Sequence, residues 1–451
     1  MRDLAFIAFL LAFFGMGFRR PFLLVLVYVY IDIVSPQRLT YLLLNTIPIS
    51  LIAVALAVGG WVLADDKRDT RVGARSVLIV VLMLYCWATT LGADFPVEAL
   101  EKWDWVWKAL IFAAFLPLTL RTRLRIEALL VFMVLSASSI IIVGGIKTIA
   151  SGGGGYGQLN LMVDNNSGLY EGSTISTVAI AIIPVIFWFM SYGTIFKRDW
   201  RLKAFCLALV FSCLLIPVGT STRTGLLCIG LLAVLSLRAV KRKGLYLAGI
   251  ATLGLAAVPF LPSTFTNRMN TIKTYQADES ASTRLAVWKW TIDYAKDHPF
   301  GGGFNAFLGN RIRYDLKTAE GGAITGGSKV EVDKARAYHS AYFEMLGEQG
   351  YLGLALWLAI NLIGIVRMEV LRRRYRDPED ELAWAGPLAA ALQSAHLVYL
   401  LGAAFIAIAF QPFIYMLIGA QIGLDTYLGR KRSEQTFRPM RGTQQQQATT
   451  A

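Results

Sequence analysis

Residues 337–342, Ala337-Tyr338-His339-Ser340-Ala341-Tyr342, lie just before the run YLGLALWLAINLIGIVRMEVL at residues 351–371. The first stretch is polar and titratable; the second is apolar and long enough to cross a hydrocarbon core of about 30 Å. This switch closes a polar island of about 90 residues, Pro262 to Gly350, in a chain that is otherwise almost continuous hydrophobe. The island carries two of the three histidines, His298 and His339. A titratable group at a membrane surface is a better catalytic candidate than one immersed in lipid, so chemistry is expected here.

Outside the island, apolar runs of spanning length recur at Thr40 to Ala64, Ser76 to Leu91, Val106 to Leu120, Ile126 to Ala150, Thr174 to Phe196, Lys203 to Gly219, Thr224 to Leu237 and Gly244 to Pro262. Three more follow it, Tyr351 to Leu371, Ala383 to Phe410 and Pro412 to Leu428. With 55% hydrophobic residues and a mean hydropathy of +0.52, the 451-residue chain is not a soluble enzyme but an all-α polytopic membrane protein. The first 35 residues are split by Arg19-Arg20-Pro21 and read either as one broken helix or as two short ones, giving about twelve or thirteen spans. No polar cleavage region follows the first apolar run, which therefore reads as an uncleaved anchor. Cys86, Cys206, Cys213 and Cys228 all fall in or at the ends of spans, which argues against disulfides and zinc fingers.

Short basic loops set orientation, because Lys and Arg next to a span stay on the cytoplasmic side. The segments Asp65 to Arg75, Arg121 to Arg125, Lys197 to Lys203, Arg238 to Lys243, Arg372 to Arg376 and Arg430-Lys431-Arg432 fall on one side of successive spans. The loops Asp94 to Trp105 and Ser151 to Gly172, and the island, then face outward. The net charge of +14 is mostly this basic rim meeting anionic membrane lipid. Basic residues do not form one patch interleaved with aromatics, so nothing argues for nucleic acid. Four domains are expected: an N-terminal transmembrane bundle at 1–262, an outer catalytic loop at 263–350, C-terminal transmembrane helices at 351–428, and a disordered cytoplasmic tail at 429–451 containing Gln444 to Gln447.

Within the island, Leu285, Trp288 and Ile292 recur at helical spacing from Ser282 to Ala295, with a Ser or Thr cap that puts Arg284 in the first turn. A cation there opposes the helix dipole unless an anion lies near, a phosphate or a local acid. Gly301-Gly302-Gly303 lacks a preceding strand; it reads as a tight turn allowing close backbone approach, with His298 a turn histidine. Arg311, Arg313 and Lys317, followed by the pairs Gly321-Gly322 and Gly326-Gly327, read as a mobile substrate flap or a disordered loop. His339 opens a helix on which Ser340, Glu344 and Glu348 make a polar stripe, able to orient a histidine, hold a sugar or simply face solvent. Arg223, in Gly219-Thr220-Ser221-Thr222-Arg223-Thr224-Gly225 between two spans, sits at the outer boundary, matched to an anion or snorkelling to headgroups.

These residues carry a family resemblance. The order Ser-Thr-Arg-Thr-Gly at a span boundary, Arg284 with Trp288, Pro299 with Gly301 to Gly303 and Phe304, and His339 before Glu348-x-Gly350-x-x-Gly353 resembles the O-antigen ligase and polymerase superfamily, most closely the O-antigen ligases, including exosortase-associated O-glycosylation ligases. The resemblance implies a GT-C-like fold with about twelve spans and one large periplasmic helical loop. It further implies a multi-pass protein of the Gram-negative inner membrane, with undecaprenyl-diphosphate-linked glycan as donor and the lipid A-core as acceptor. By matching positions, His339 is the catalytic residue and Arg223 and Arg284 bind the diphosphate. Arg268, Arg311, Arg313, Tyr338, Glu344 and Glu348 are further candidates to touch substrate. Ser340 departs from the family, where Asn is frequent.

The chemistry agrees with the resemblance. A glycosyl diphosphate already has a good leaving group, so transfer needs a base for the acceptor hydroxyl and cations for the developing charge. Histidine suits the first role and arginine, bidentate to phosphate, the second. The outer segments hold no Asp-x-Asp pair, so arginines are expected to stand in for a metal, with no cofactor and with inversion at the anomeric carbon. Polymerase or protein-acceptor transfer from the same donor is the alternative. A lipid-linked sugar transporter expects mid-span ionisable groups and a repeat. Here His396, with Gln393 and Ser394, reads as a contact between helices.

Overall fold

The structure, a computed structural model, describes residues 2–40, 44, 46–68, 70–152, 168–270, 279–320, 323–376 and 381–436. In chain order the helices are α1 Arg2–Arg19, α2 Phe22–Val34, α3 Pro36–Leu39, α4 Ile49–Ala64, α5 Ala74–Leu91, α6 Pro96–Thr119, α7 Arg123–Ser151 and α8 Gly172–Tyr192. There follow α9 Trp200–Gly219, α10 Arg223–Ser236, α11 Lys243–Ala257, α12 Ser263–Asn270, α13 Glu279–Asp297, the strands β1 Arg311–Glu320 and β2 Ala323–Lys334, then α14 Ala341–Arg374, α15 Ala385–Ala403 and α16 Pro412–Thr436. Helices dominate because apolar segments in lipid must satisfy every backbone polar group within themselves.

Among the described residues six helices are long and apolar enough to cross a membrane, namely α5, α7, α8, α9, α11 extended to Phe260, and α14, with α2, α4 and α10 shorter but apolar. The chain is a multi-pass membrane protein. Its N-terminal 34 residues form two helices and not one. Phe9 of α1 packs on Tyr30 of α2 at 5.0 Å between ring centroids, so the pair folds back on itself around Arg19-Arg20-Pro21.

The expected alternation of loops is visible in the contacts. At one end of the bundle Arg125 pairs with Asp65 at 2.7 Å, Arg121 with Asp66 at 3.1 Å, and Arg430 donates to the Arg121 carbonyl at 2.9 Å. At the other end the island meets the α5–α6 loop, where the Asp94 amide donates to Gly302 O at 2.9 Å, and the α15–α16 loop, where the Ala409 amide donates to Glu344 at 2.9 Å. These are called the basic end and the island end below. Between them lies a buried polar contact of four helices. His396 Nε2 meets Asn361 Oδ1 at 2.8 Å and its Nδ1 meets Gln421 at 3.1 Å, while Arg75 donates to Gln421 at 3.0 Å and to Ile360 O at 3.1 Å. His396 thus ties α15 to α14 and α16, as expected of a polar contact between helices.

Three expectations are corrected. The loop is not wholly helical: β1 and β2 form an antiparallel hairpin from Arg311↔Lys334 to Glu320↔Ala323, with an irregularity between Lys317 and Thr318. The expected flap is this hairpin; Gly326 and Gly327 lie in β2, while Gly321 and Gly322 fall outside the described residues. The island helix α13 begins at Glu279, so Arg284 is in its second turn and the dipole argument does not apply. Its buried face is Thr283, Val287, Thr291 and Ala295, whereas Leu285 and Ile292 are exposed. At the C-terminus α16 continues to Thr436, past the expected start of the tail at 429; the rest of that tail lies outside the described residues.

Candidate active site

The site is built on a break in α14. Gly350 has φ 64°, so the helix is two pieces joined at this residue, a short polar one from Ala341 and an apolar one from Tyr351. Only glycine fits: an added Cβ would strike Pro299 O and the Gly301 amide. The freed backbone groups at the break are taken by the glycine run. Gly302 N donates to Gly347 O at 3.1 Å, Gly303 N to Glu348 O at 2.9 Å, and Tyr351 N to Pro299 O at 3.0 Å. Gly301 and Gly303 have φ of 83° and 76°. The run is thus the close backbone approach its composition implied. His298 is a turn histidine, exposed and stacked on Tyr294 at 4.1 Å.

A buried ion triad braces the polar piece. Lys102 of α6 donates to Glu344 at 2.7 Å and to both oxygens of Glu348 at 2.9 and 2.8 Å. Backbone amides complete the site: Glu344 Oε2 accepts from the Ala409 amide, and Glu348 Oε1 accepts from the Asn305 amide at 3.0 Å as well as from Lys102. Glu344 and Glu348 are therefore structural anchors, at 4% and 0% exposure, and not an open stripe for sugar. Lys102 also lies over the rings of Phe304 and Phe410 at 5.4 and 5.8 Å.

His339 sits just ahead of this piece in a turn of positive φ, 48°, unusual for a residue with a side chain. Its neighbours hold it there. The Tyr338 carbonyl accepts from Trp288 Nε1 at 2.9 Å, and Trp288 stacks flat on Phe343 at 4.9 Å, which fastens α13 to α14 across the histidine. Ser340 occupies the N-cap position but makes no side-chain cap; its carbonyl accepts from the Glu344 amide at 2.8 Å. Burial, and then the charges of Arg284 and Arg336, push the His339 imidazole down from its ordinary 6.5 to about 4. At neutral pH it is an uncharged base among cations, able to accept a proton.

The residues expected at the site divide accordingly. Arg284 lies close enough to His339 to act on it electrostatically. Arg336, not singled out from sequence, does the same. Asn310 fixes its backbone, donating to Arg336 O at 2.7 Å and accepting from Arg336 N at 3.0 Å. Arg336 is also paired with Asp333 at 3.1 Å and Glu279 at 3.6 Å. Tyr338 is 1% exposed, its ring edge-on to Phe307 at 5.7 Å, so it packs the turn and does not reach a substrate. Arg311 and Arg313 are exposed on β1 and alternate with Ile312, which packs with Val287 and Tyr338. No described contact brings either arginine to His339.

Arg223 opens α10 at the island end and donates to the Arg268 carbonyl of α12 at 3.4 Å. Ahead of it Ser176, Thr220 and Thr222 form a buried hydroxyl cluster at 2.9 to 3.1 Å. Helix α15 is the shared wall of the two regions. Cys228 of α10 lies 3.6 Å from the Val398 carbonyl and Tyr342 of α14 donates to the Leu400 carbonyl at 3.1 Å, two positions apart on one helix. Among the described residues no group of three or more His, Cys, Asp or Glu side chains is placed to hold a metal ion.

Residues 207–358, which include Arg223, Arg284 and His339, match the family described as O-antigen ligase. This segment is similar to that family. Residues 1–194 match a family of unknown function (DUF5935). No curated protein matches the chain. Similarity of this segment to the O-antigen ligase family suggests ligase- or polymerase-type glycan transfer by a membrane enzyme, with lipid-linked glycan and membrane lipid as the partner classes.

Proposed function

We propose that the chain is an inverting, metal-independent O-antigen ligase of the Gram-negative inner membrane. It moves a glycan from undecaprenyl diphosphate to a hydroxyl of the lipid A-core at the periplasmic face. On this reading residues 1–262 and 351–428 are the membrane bundle and 263–350 the periplasmic catalytic loop. His339 takes the proton of the acceptor hydroxyl as its oxygen bonds to the anomeric carbon. The bond from that carbon to the diphosphate oxygen breaks on the opposite face, and its electron pair leaves with undecaprenyl diphosphate. An α-linked donor therefore gives a β-linked product. Arg223 and Arg284 neutralise the diphosphate before and during bond cleavage.

The observation that carries this reading is a neutral imidazole flanked by Arg284 and Arg336, in a backbone turn held on both sides. A base for a sugar hydroxyl must be unprotonated at the working pH, and cations beside it favour both that state and an anionic donor. The test is transfer from undecaprenyl diphosphate onto rough lipopolysaccharide by purified protein in EDTA, wild type against His339→Ala, each checked for cooperative unfolding. Product from wild type alone is the expected result. Product from both removes His339 as the base. Product from neither, with transfer to a second lipid-linked repeat or to a protein hydroxyl, assigns the polymerase or protein-acceptor alternative.

A further inference from the structure

Near the basic end, α7, α8 and α9 do not close on one another and leave a cavity of about 530 Å³. Its walls are apolar, with Val134 and Leu135 from α7, Ile186 from α8, and Phe205, Cys206 and Leu209 from α9. From Leu202 to Leu209 the lining follows α9 for about 10 Å at the helical rise per residue. Leu135, Phe196 and Phe205 line the cavity and are also 42 to 46% exposed, so it opens sideways, toward where lipid surrounds a membrane-spanning bundle.

The charged groups of this cavity all lie at its mouth: Lys197, Asp199 and Arg201. Asp199 accepts the Leu202 amide at 3.0 Å and caps α9. Among the described residues neither Lys197 nor Arg201 takes part in an ion pair; Arg201 lies over the Trp200 ring at 5.8 Å. Trp200 is 73% exposed beside them, as aromatic side chains are at the headgroup level of a membrane. An apolar slot of this depth beneath two cations and an exposed tryptophan has the amphipathic order of a phospholipid.

We propose that this groove binds an anionic phospholipid of the leaflet at the basic end, one acyl chain lying between α7 and α9 and the headgroup phosphate resting on Lys197 and Arg201. The groove is remote in sequence from His339, and the proposal does not depend on the transferase reading. Its role is to fill a gap in the packing of three spans that helix–helix contact leaves open.

The test uses the full chain, purified in detergent and stripped of lipid, titrated with phosphatidylglycerol or phosphatidylcholine and read by native mass spectrometry. Two cations less one acid predict a preference of roughly fivefold for phosphatidylglycerol. Lys197→Glu with Arg201→Glu should bring the two lipids to parity. Leu135→Trp, at an exposed position on the cavity wall, should lower binding of both. Thermal unfolding without lipid establishes that each variant is folded. Equal binding of the two lipids by wild type overturns the proposal, as does a preference that survives the double charge reversal or binding that Leu135→Trp leaves unchanged.

Discussion

Replacing Lys102 by methionine keeps the length of the side chain and removes its charge. What remains is Glu344 and Glu348, whose oxygens both lay within 2.8 Å of one nitrogen and which are almost entirely shielded from water. Two such charges ~4.5 Å apart, at an effective dielectric of ~20, repel by ~4 kcal/mol. Breaking a buried ion pair by removing one partner typically costs about 3–5 kcal/mol, in agreement with that figure. Lys102→Met is therefore expected to raise the unfolding constant by roughly two to three orders of magnitude, read by tryptophan fluorescence during titration with denaturing detergent. Trp103, 6.4 Å from Phe304 in a stacked geometry, reports on this corner. Adding Glu344→Gln and Glu348→Gln to Lys102→Met removes both stranded charges and should recover more than half of the loss. A Lys102→Met protein within about 1 kcal/mol of wild type, or a triple variant no better than the single one, refutes the reasoning.

Four further outcomes follow from the same geometry. With His339 held at about 4, the acid limb of kcat/KM should fall well below the 6.5 of a free histidine, while at saturating donor the diphosphate cancels Arg284 and Arg336 and the limb of kcat should move up; superimposable limbs near 6.5 count against the site. The folded state binds fewer protons than the unfolded chain between pH 6.5 and 4, so this histidine's contribution, at most about 3 kcal/mol, is present above 6.5 and lost as pH falls toward 4, measurable as a falling unfolding midpoint. Arg336→Gln should raise the acid limb of kcat/KM and leave the fold intact, whereas an unmoved limb would make Arg336 a surface ion-pair residue only. Gly350→Ala, at φ 64° and against the Pro299 carbonyl, should cost at least ~2 kcal/mol and abolish transfer, while Gly230→Ala in α10, where an added Cβ meets nothing, should leave the helix break in place, a contrast visible in limited proteolysis of the island.

The spans were legible because lipid demands long apolar helices, and the island because nothing else in the chain is polar for so long. The hairpin was misread. The pattern was there: Arg311-Ile312-Arg313-Tyr314 and Lys329-Val330-Glu331-Val332 both alternate with the period of a strand. The glycine pairs between them, at 321–322 and 326–327, break that alternation. On α13 the helical spacing of Leu285, Trp288 and Ile292 marks the helix but not its buried face, which is Thr283, Val287, Thr291 and Ala295, where small side chains let α13 lie close to its neighbours. The role of Glu344 and Glu348 was illegible for another reason. Their partner Lys102 stands 242 and 246 positions away on α6, among other charges that give it no distinction in sequence. Local periodicity carries no information about a contact at that separation.

The same distance argument explains why the hairpin exists at all. His339 stands in a left-handed turn, which by itself is a conformation of higher energy and persists only if its surroundings over-determine it. On its C-terminal side the determination comes from the Lys102 triad, which reaches the membrane bundle. On its N-terminal side it comes from the hairpin base, where Asn310 grips Arg336 from both its amide and its carbonyl, and from Ile312, which packs under Tyr338 with Val287 of α13. The β strands contribute no described contact to His339 itself, yet they set the position of the residues immediately before it. A deletion of the hairpin tip should therefore be tolerated, whereas Asn310→Ala, which removes both bonds to Arg336, should free the turn and reduce transfer without loss of the membrane fold.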